Sequence, residues 1–145
     1  MTEVPEFKEN SQAVQSHLTI LQSVIQRMAN NSASSKAWCI TLVSAILVIV
    51  ADKAKPQYAW IAVIPTILFF VLDSYYLALE KGIRNAYNDF IKKLHTQALL
   101  ADDLFVVVPQ GGLFGLFVKS MMSFSVWPFY LTLYGMIYAA KVFVI

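Results

Sequence analysis

Cysteine, glycine and charge are scarce in this 145-residue chain. The one cysteine, Cys39, can form no intrachain disulfide, which excludes a small disulfide-stapled scaffold. The five glycines form no phosphate-cradling loop, dinucleotide fingerprint or nucleophile elbow. His17 and His95 stand alone, without a second ligand at metal spacing, and read as surface or packing histidines. Each lies a similar distance from an apolar segment, so the two could approach one another in space. Asp102-Asp103 could bind a cation but reads as a solvated loop. No catalytic residue, metal or other cofactor is therefore expected, and the chain reads as a non-enzyme. Charged residues make up 14%, against about 25% in an average soluble domain. The net charge of +2 is too small to argue for nucleic acid.

Apolar residues, by contrast, are abundant at 58%, and mean hydropathy is +0.59. A soluble domain this small keeps much of its surface in water and cannot carry that composition. The composition predicts an integral membrane protein, and the order of segments predicts an all-α one. Residues 1–10 carry Glu3, Glu6, Lys8 and Glu9 around Pro5, unlike the basic-then-apolar start of a secretory signal. The apolar segments themselves are expected to direct insertion.

Three such segments are present. The first, 37–51, is uncharged, preceded by Lys36 and marked by Trp38. As a helix it covers about 22 Å, and Lys36 would snorkel to reach the edge of a core about 30 Å thick. The second runs from Tyr58 to about Leu72 after the short charged connection 51–57, so the two form an antiparallel hairpin. Pro65 lies inside the second segment and is expected to kink it. The third, 113–145, contains only Lys119 and Lys141, and residues 120–140 are enough for one span. Trp127-Pro128 suits the first turn of that span. Leu113 to Phe124 reads as a separate interfacial helix after the Pro109-Gln110-Gly111-Gly112 break, with a re-entrant segment as the alternative.

Lys and Arg fix the expected orientation. Arg27, Lys36, Lys81, Arg84, Lys92 and Lys93 lie at the hairpin base, and only Lys53 and Lys55 at its tip. That asymmetry puts the base and the N-terminus in the cytoplasm. The predicted organisation is an N-terminal cytosolic amphipathic helix (1–35), a transmembrane hairpin (36–79), a second cytosolic amphipathic helix with linker (80–110) and a C-terminal membrane segment (111–145).

The cytosolic helices carry apolar stripes. Val14, Leu18, Leu21, Ile25 and Met28 alternate four- and three-residue steps, and the series continues through Ser32, Ser35, Cys39, Leu42 and Ile46. One helix can therefore run from the stalk into the first segment. Ile83, Tyr87, Phe90, Ile91, Leu94 and Ala98 form a matching stripe. The two are expected to pack on each other or on neighbouring subunits, which makes Leu18, Leu21, Ile25, Met28, Tyr87, Phe90 and Leu94 a stalk or oligomer seam. Leu104 to Val108 reads as a short strand or extended linker.

Two constellations stand out. Asp73 follows the second apolar run as Lys36 precedes the first, so an antiparallel hairpin brings both to one boundary. The partner of Asp73 is Lys36, or Arg27 with a neighbour. Such a group is either a structural ion pair or a functional charge. Trp127, Tyr130, Tyr134, Tyr138 and Lys141 recur at helical steps and predict one aromatic face, turned toward protein or toward a wet pore.

The order of elements over residues 14–95 resembles a known group. An amphipathic helix leads to Arg27-Met28-Ala29-Asn30-Asn31-Ser32, then Lys36-x-Trp38, a short span, a short loop and a second span. Leu72-Asp73-x-Tyr75-Tyr76-Leu77 and a basic amphipathic helix follow. This resembles the SLATT-like small two-span membrane effectors of bacterial anti-phage defence. The resemblance implies an inner-membrane effector held inactive until a soluble sensor or regulatory partner triggers it, then acting as a homo-oligomer that breaches the bilayer. The third apolar segment departs from the two-span pattern. The competing expectation is a non-conducting membrane subunit that docks a soluble partner through its cytosolic helices.

Overall fold

The computed structural model describes residues 7–143. They form four α-helices and two short 3-10 helices, with no strand among the described residues. Helix α1, Gln12–Asp52, contains neither proline nor glycine, so nothing along its 41 residues interrupts the hydrogen-bond ladder. It joins the amphipathic stalk to the first apolar segment without a break.

The buried face of α1 corrects the expected seam. Val14 and Val50 are both buried, about ten turns apart at 3.6 residues per turn. A strict heptad from Val14 lands instead on Leu42 and Ile49, which are 42% and 61% exposed, while Val43 is buried. A straight helix drifts about 20° per heptad against a 3.5-residue repeat. After about four heptads the drift is most of one residue, which moves the contact from Leu42 to Val43.

Glycine is absent where both long helices end. Helix α1 closes with Ala54 at φ +48°, its N–H donating to Ala51 and the Lys55 N–H to Val50. The second long helix, α2 (Val63–His95), ends the same way on Gln97 at φ +55°, with Gln97 bonded to Leu94 and Ala98 to Lys93. Both are Schellman closures with a side chain where glycine is the favoured residue. A chain with few glycines leaves these stops invisible to a glycine-based reading.

Pro56 opens a 3-10 helix, Pro56–Ala62, that leads directly into α2. Pro65 is the third residue of α2, just after the change from 3-10 to α-helix inside the apolar segment. The 3-10 turn before it supplies the helical entry, and Pro65 offers no N–H to the carbonyls of that turn. Thr66 Oγ1 donates to the Ala62 carbonyl at 2.8 Å.

Helices α1 and α2 lie antiparallel along nearly their whole length. Lys36 meets Asp73, Gln22 Nε2 reaches the Tyr87 hydroxyl at 3.4 Å, and His17 packs on Phe90. An extended linker, with a 3-10 turn at Ala101–Asp103, then folds back along the stalk. Leu104 to Val108 belongs to this strap and makes no strand. The strap ends where Pro109 lies against Gly82 and the Gln110 N–H donates to the Gly82 carbonyl at 3.0 Å. A Cβ on Gly82 would stand 2.6 Å from Pro109 Cβ, so only glycine admits this approach.

Helix α3 (Leu113–Met121) packs beside α2, and an irregular turn separates it from α4 (Trp127–Phe143). Tyr130 of α4 lies beside Phe69 and Phe70, and Lys141 near the other end lies over Trp60. Helix α4 therefore runs antiparallel to α2, toward the hairpin tip.

Two apolar cores result. One, at the tip end, joins Cys39, Val43, Ala59, Ala62, Val126, Tyr130, Leu133 and Ile137. The other, at the stalk end, joins Val14, Phe90, Leu94 and Leu99, with Leu18 and Leu104 packed against it. Among the described residues, two helices are long and apolar enough to cross a membrane: Gln12–Asp52, and Pro56–His95 counted with its 3-10 start. Only 22% and 28% of their most apolar stretches are buried within the chain, unlike the core helices of a soluble protein.

Candidate functional site

Between the two cores lies a layer of small and polar residues: Ser32 and Ser35 from α1, Asp73, Ser74 and Ala78 from α2. Asp73 is fully buried, and Ser32 and Lys36, one turn apart on α1, both reach it. Ser32 Oγ donates to Asp73 Oδ1. Lys36 Nζ stands 2.6 Å from Oδ2 and also donates to Ser32 Oγ at 3.2 Å. Oδ2 receives no directed hydrogen bond, so the ammonium meets it as an ion pair through its charge. The Lys36 side chain is 20% exposed, so this end of the pair touches the surroundings while the carboxylate does not. A buried carboxylate without its partner is strongly disfavoured, so the ammonium and hydroxyl together hold the two helices in register.

Further polar groups surround the pair at the tip side. The Tyr130 hydroxyl of α4 donates to the Phe69 carbonyl at 3.0 Å, one turn from Asp73 and within electrostatic reach of it. Cys39 is buried next to Thr66. Ser35 and Ser74 turn their hydroxyls onto the Asn31 and Phe70 carbonyls of their own helices. Helix α4 is thus anchored beside the ion pair by one tyrosine.

Arg27 is not a partner of Asp73. It is exposed, and nine residues before Lys36 it projects from the opposite side of α1, since nine steps of about 100° amount to a half turn beyond two full turns. The aromatic face expected on α4 also divides. Tyr130 is buried, Tyr134 is half-buried, and Trp127 and Tyr138 are 43% and 60% exposed. The stripe that packs is Val126, Tyr130, Leu133 and Ile137, with Tyr134 and Tyr138 to its side. Lys141 Nζ lies 5.0 Å from the centre of the Trp60 ring, a cation–π contact at the tip. Of the seam residues, Leu21, Phe90 and Leu94 are buried inside the single chain, and Leu18, Ile25, Met28 and Tyr87 are half-buried.

The two histidines have different partners. His17 is buried on the stalk, and its Nδ1 accepts the Phe105 N–H at 2.9 Å. His95 is exposed and lies 3.4 Å from Glu9. Asp103 is not a free loop carboxylate: Lys93 Nζ stands 2.9 Å from it and the Leu100 N–H donates to it at 2.9 Å. The Leu100 N–H and Lys93 hold the Asp103 carboxyl below its ordinary range, and Asp103 raises Lys93 in turn. Among the described residues no group of three histidine, cysteine or acidic side chains is placed to hold a metal.

Sequence reasoning placed Ser32 in the seam without seeing its bond to Asp73, although its i, i+4 relation to Lys36 was a usable signal. It had no signal for the Tyr130–Phe69 contact, which depends on how α4 returns. No family model, curated protein or solved structure matches the chain.

Proposed function

We propose that this chain is a multi-pass effector of the bacterial inner membrane, with its N-terminus in the cytoplasm. On a trigger, several copies assemble and permeabilise the bilayer in anti-phage defence. The carrying observation is the buried Lys36–Ser32–Asp73 constellation, placed where an outward-apolar helical end meets a stalk with polar outer faces. A charge pair at that boundary can hold α1, α2 and the Tyr130 anchor of α4 in a closed arrangement that a rearrangement would open. Helix α4 completes a three-helix membrane unit as a third span, about 25 Å long at 1.5 Å per residue.

The interior of one copy is filled by Val43, Tyr130, Leu133 and Ile137, so a path for ions requires several copies around an axis. The defence role rests on the resemblance to SLATT-like effectors, which also implies a soluble sensor or regulatory partner. Expression in bacteria loaded with a membrane-potential dye tests the reading. Regulated depolarisation that changes in the Asp73→Asn variant, with an oligomer by native mass measurement, supports it. An intact potential under every trigger, or a monomer in detergent, overturns it. A stable complex with a soluble protein and no depolarisation favours the non-conducting subunit, for which the polar depression at Gln22, Gln26, Arg84 and Asn88 on the stalk offers a surface.

A further inference from the structure

The strap that links α2 to α3 is fastened to the stalk by a histidine acting as an acceptor. His17 sits on α1 with 2% of its surface exposed, its ring 4.3 Å from that of Phe90 and edge-on to Phe105. Its Nδ1 accepts the Phe105 backbone N–H at 2.9 Å, so Nδ1 carries no proton in this arrangement. Phe105 has φ +62°, a left-handed conformation that a phenylalanine adopts only when its surroundings impose it. The bond to His17 is one of the contacts that impose it.

A cavity of about 100 Å³ opens beside His17 and admits water and protons to the contact. Among the described residues, the charged groups facing it come from two elements. Helix α2 supplies Asp89 and Lys93, and the strap supplies Asp102 and Asp103. Lys93 and Asp103 are paired, and Lys93 is also 3.5 Å from Asp89. Burial holds the His17 imidazolium below its ordinary range, and Asp103 opposes that in part.

We propose that His17 is a pH-sensitive latch that holds the strap 101–112 on the stalk when neutral and releases it when protonated. Protonation puts a hydrogen on Nδ1, so two donors face each other where one bond existed, and a charge appears against Phe90. Phe105 then relaxes from its left-handed conformation. A histidine with a lowered folded-state value stabilises the latched state above its ordinary value and loses that contribution as pH falls. Release occurs on the acid side of neutral. The strap leads directly into α3, so the latch governs how α3 and α4 are tethered to the stalk. The latch does not depend on the permeabilising role.

The test uses the full-length chain in lipid nanodiscs. Chymotrypsin cleavage within the strap, at Leu104 and Phe105, is compared at about pH 7.5 and about pH 5.5 in wild type and in His17→Asn. Asparagine Oδ1 takes the place of Nδ1 as an acceptor and does not titrate. The variant also cancels the pH dependence of the protease. We expect the wild-type to His17→Asn rate ratio to rise as pH falls, by up to about tenfold per pH unit below the folded-state value. An unchanged ratio overturns the latch. Should His17→Asn be cut rapidly at both pH values, 15N NMR of wild-type His17 decides: titration of Nδ1 together with a shift of the Phe105 amide supports the proposal. A protonated Nδ1 at neutral pH, or titration with no change at Phe105, overturns it.

Discussion

The two ends of the α1–α2 pair are held by different physics. At the stalk end, Val14, Phe90, Leu94 and Leu99 are buried beneath polar outer faces, and on the membrane reading apolar burial in water drives that packing. At the tip end, the core is apolar and so is the outside, with Val48, Ile64 and Leu68 each more than 60% exposed. On the membrane reading, lipid tails solvate those side chains as well as a neighbouring helix does, so burial confers little preference for one packing. Specificity there falls to the few polar contacts: Tyr130 on Phe69, and Lys36 with Ser32 on Asp73. One helix pair thus crosses from a region organised by its apolar core to one organised by its polar exceptions.

That contrast can be broken at the joint first. Lys36→Ala leaves the Asp73 carboxylate buried and uncompensated, with an expected loss of about 3–5 kcal/mol by reversible unfolding in detergent. The double variant Lys36→Met with Asp73→Leu should recover most of it, because matched apolar groups remove both charges together. No recovery would mean that the pair does more than offset its own burial.

On the stalk side, Gly82→Ala drives a methyl into Pro109 and is expected to cost about 1–3 kcal/mol. Hydrogen exchange should show the loss confined to the strap and α3, with the amides of residues 37–51 unchanged. Spread of the effect to the tip would show that the two regions are not separable.

At the tip, Tyr130→Phe removes one hydrogen bond and leaves the ring contacts with Phe70 and Phe129, for an expected cost of about 1 kcal/mol. The exchange protection of α4 reports it. The smallest effect has the opposite sign. Ala54→Gly relieves a left-handed alanine at the hairpin turn and should raise stability by about 0.5–1 kcal/mol. A loss of stability there would show that the Schellman closure does not hold the turn.

Much of this was legible in the residues. The absence of proline and glycine from Gln12 to Asp52, two charged boundaries at Lys36 and Asp73, and Trp127-Pro128 at a helix start are local signals, and local rules read them. The misreadings were geometric. A 3.5-residue count misplaced Leu42 against Val43, a periodic run of tyrosines concealed the Leu133–Ile137 contact, and Arg27 was a candidate partner on the wrong side of its helix. The strap was illegible because its anchors His17, Gly82 and Asn85 lie far from it in sequence.

The sequence by itself determined that the chain is helical and that its apolar residues collect in a hairpin with a polar-faced base. Period, composition and the placement of proline act within a few residues and need no partner. Only the tertiary structure decided which side chains complete the Asp73 site, that His17 is an acceptor rather than a surface base, and that non-glycine residues close both long helices. Those outcomes depend on where a returning segment lands, and a contact between residues 17 and 105 leaves no trace in either neighbourhood alone.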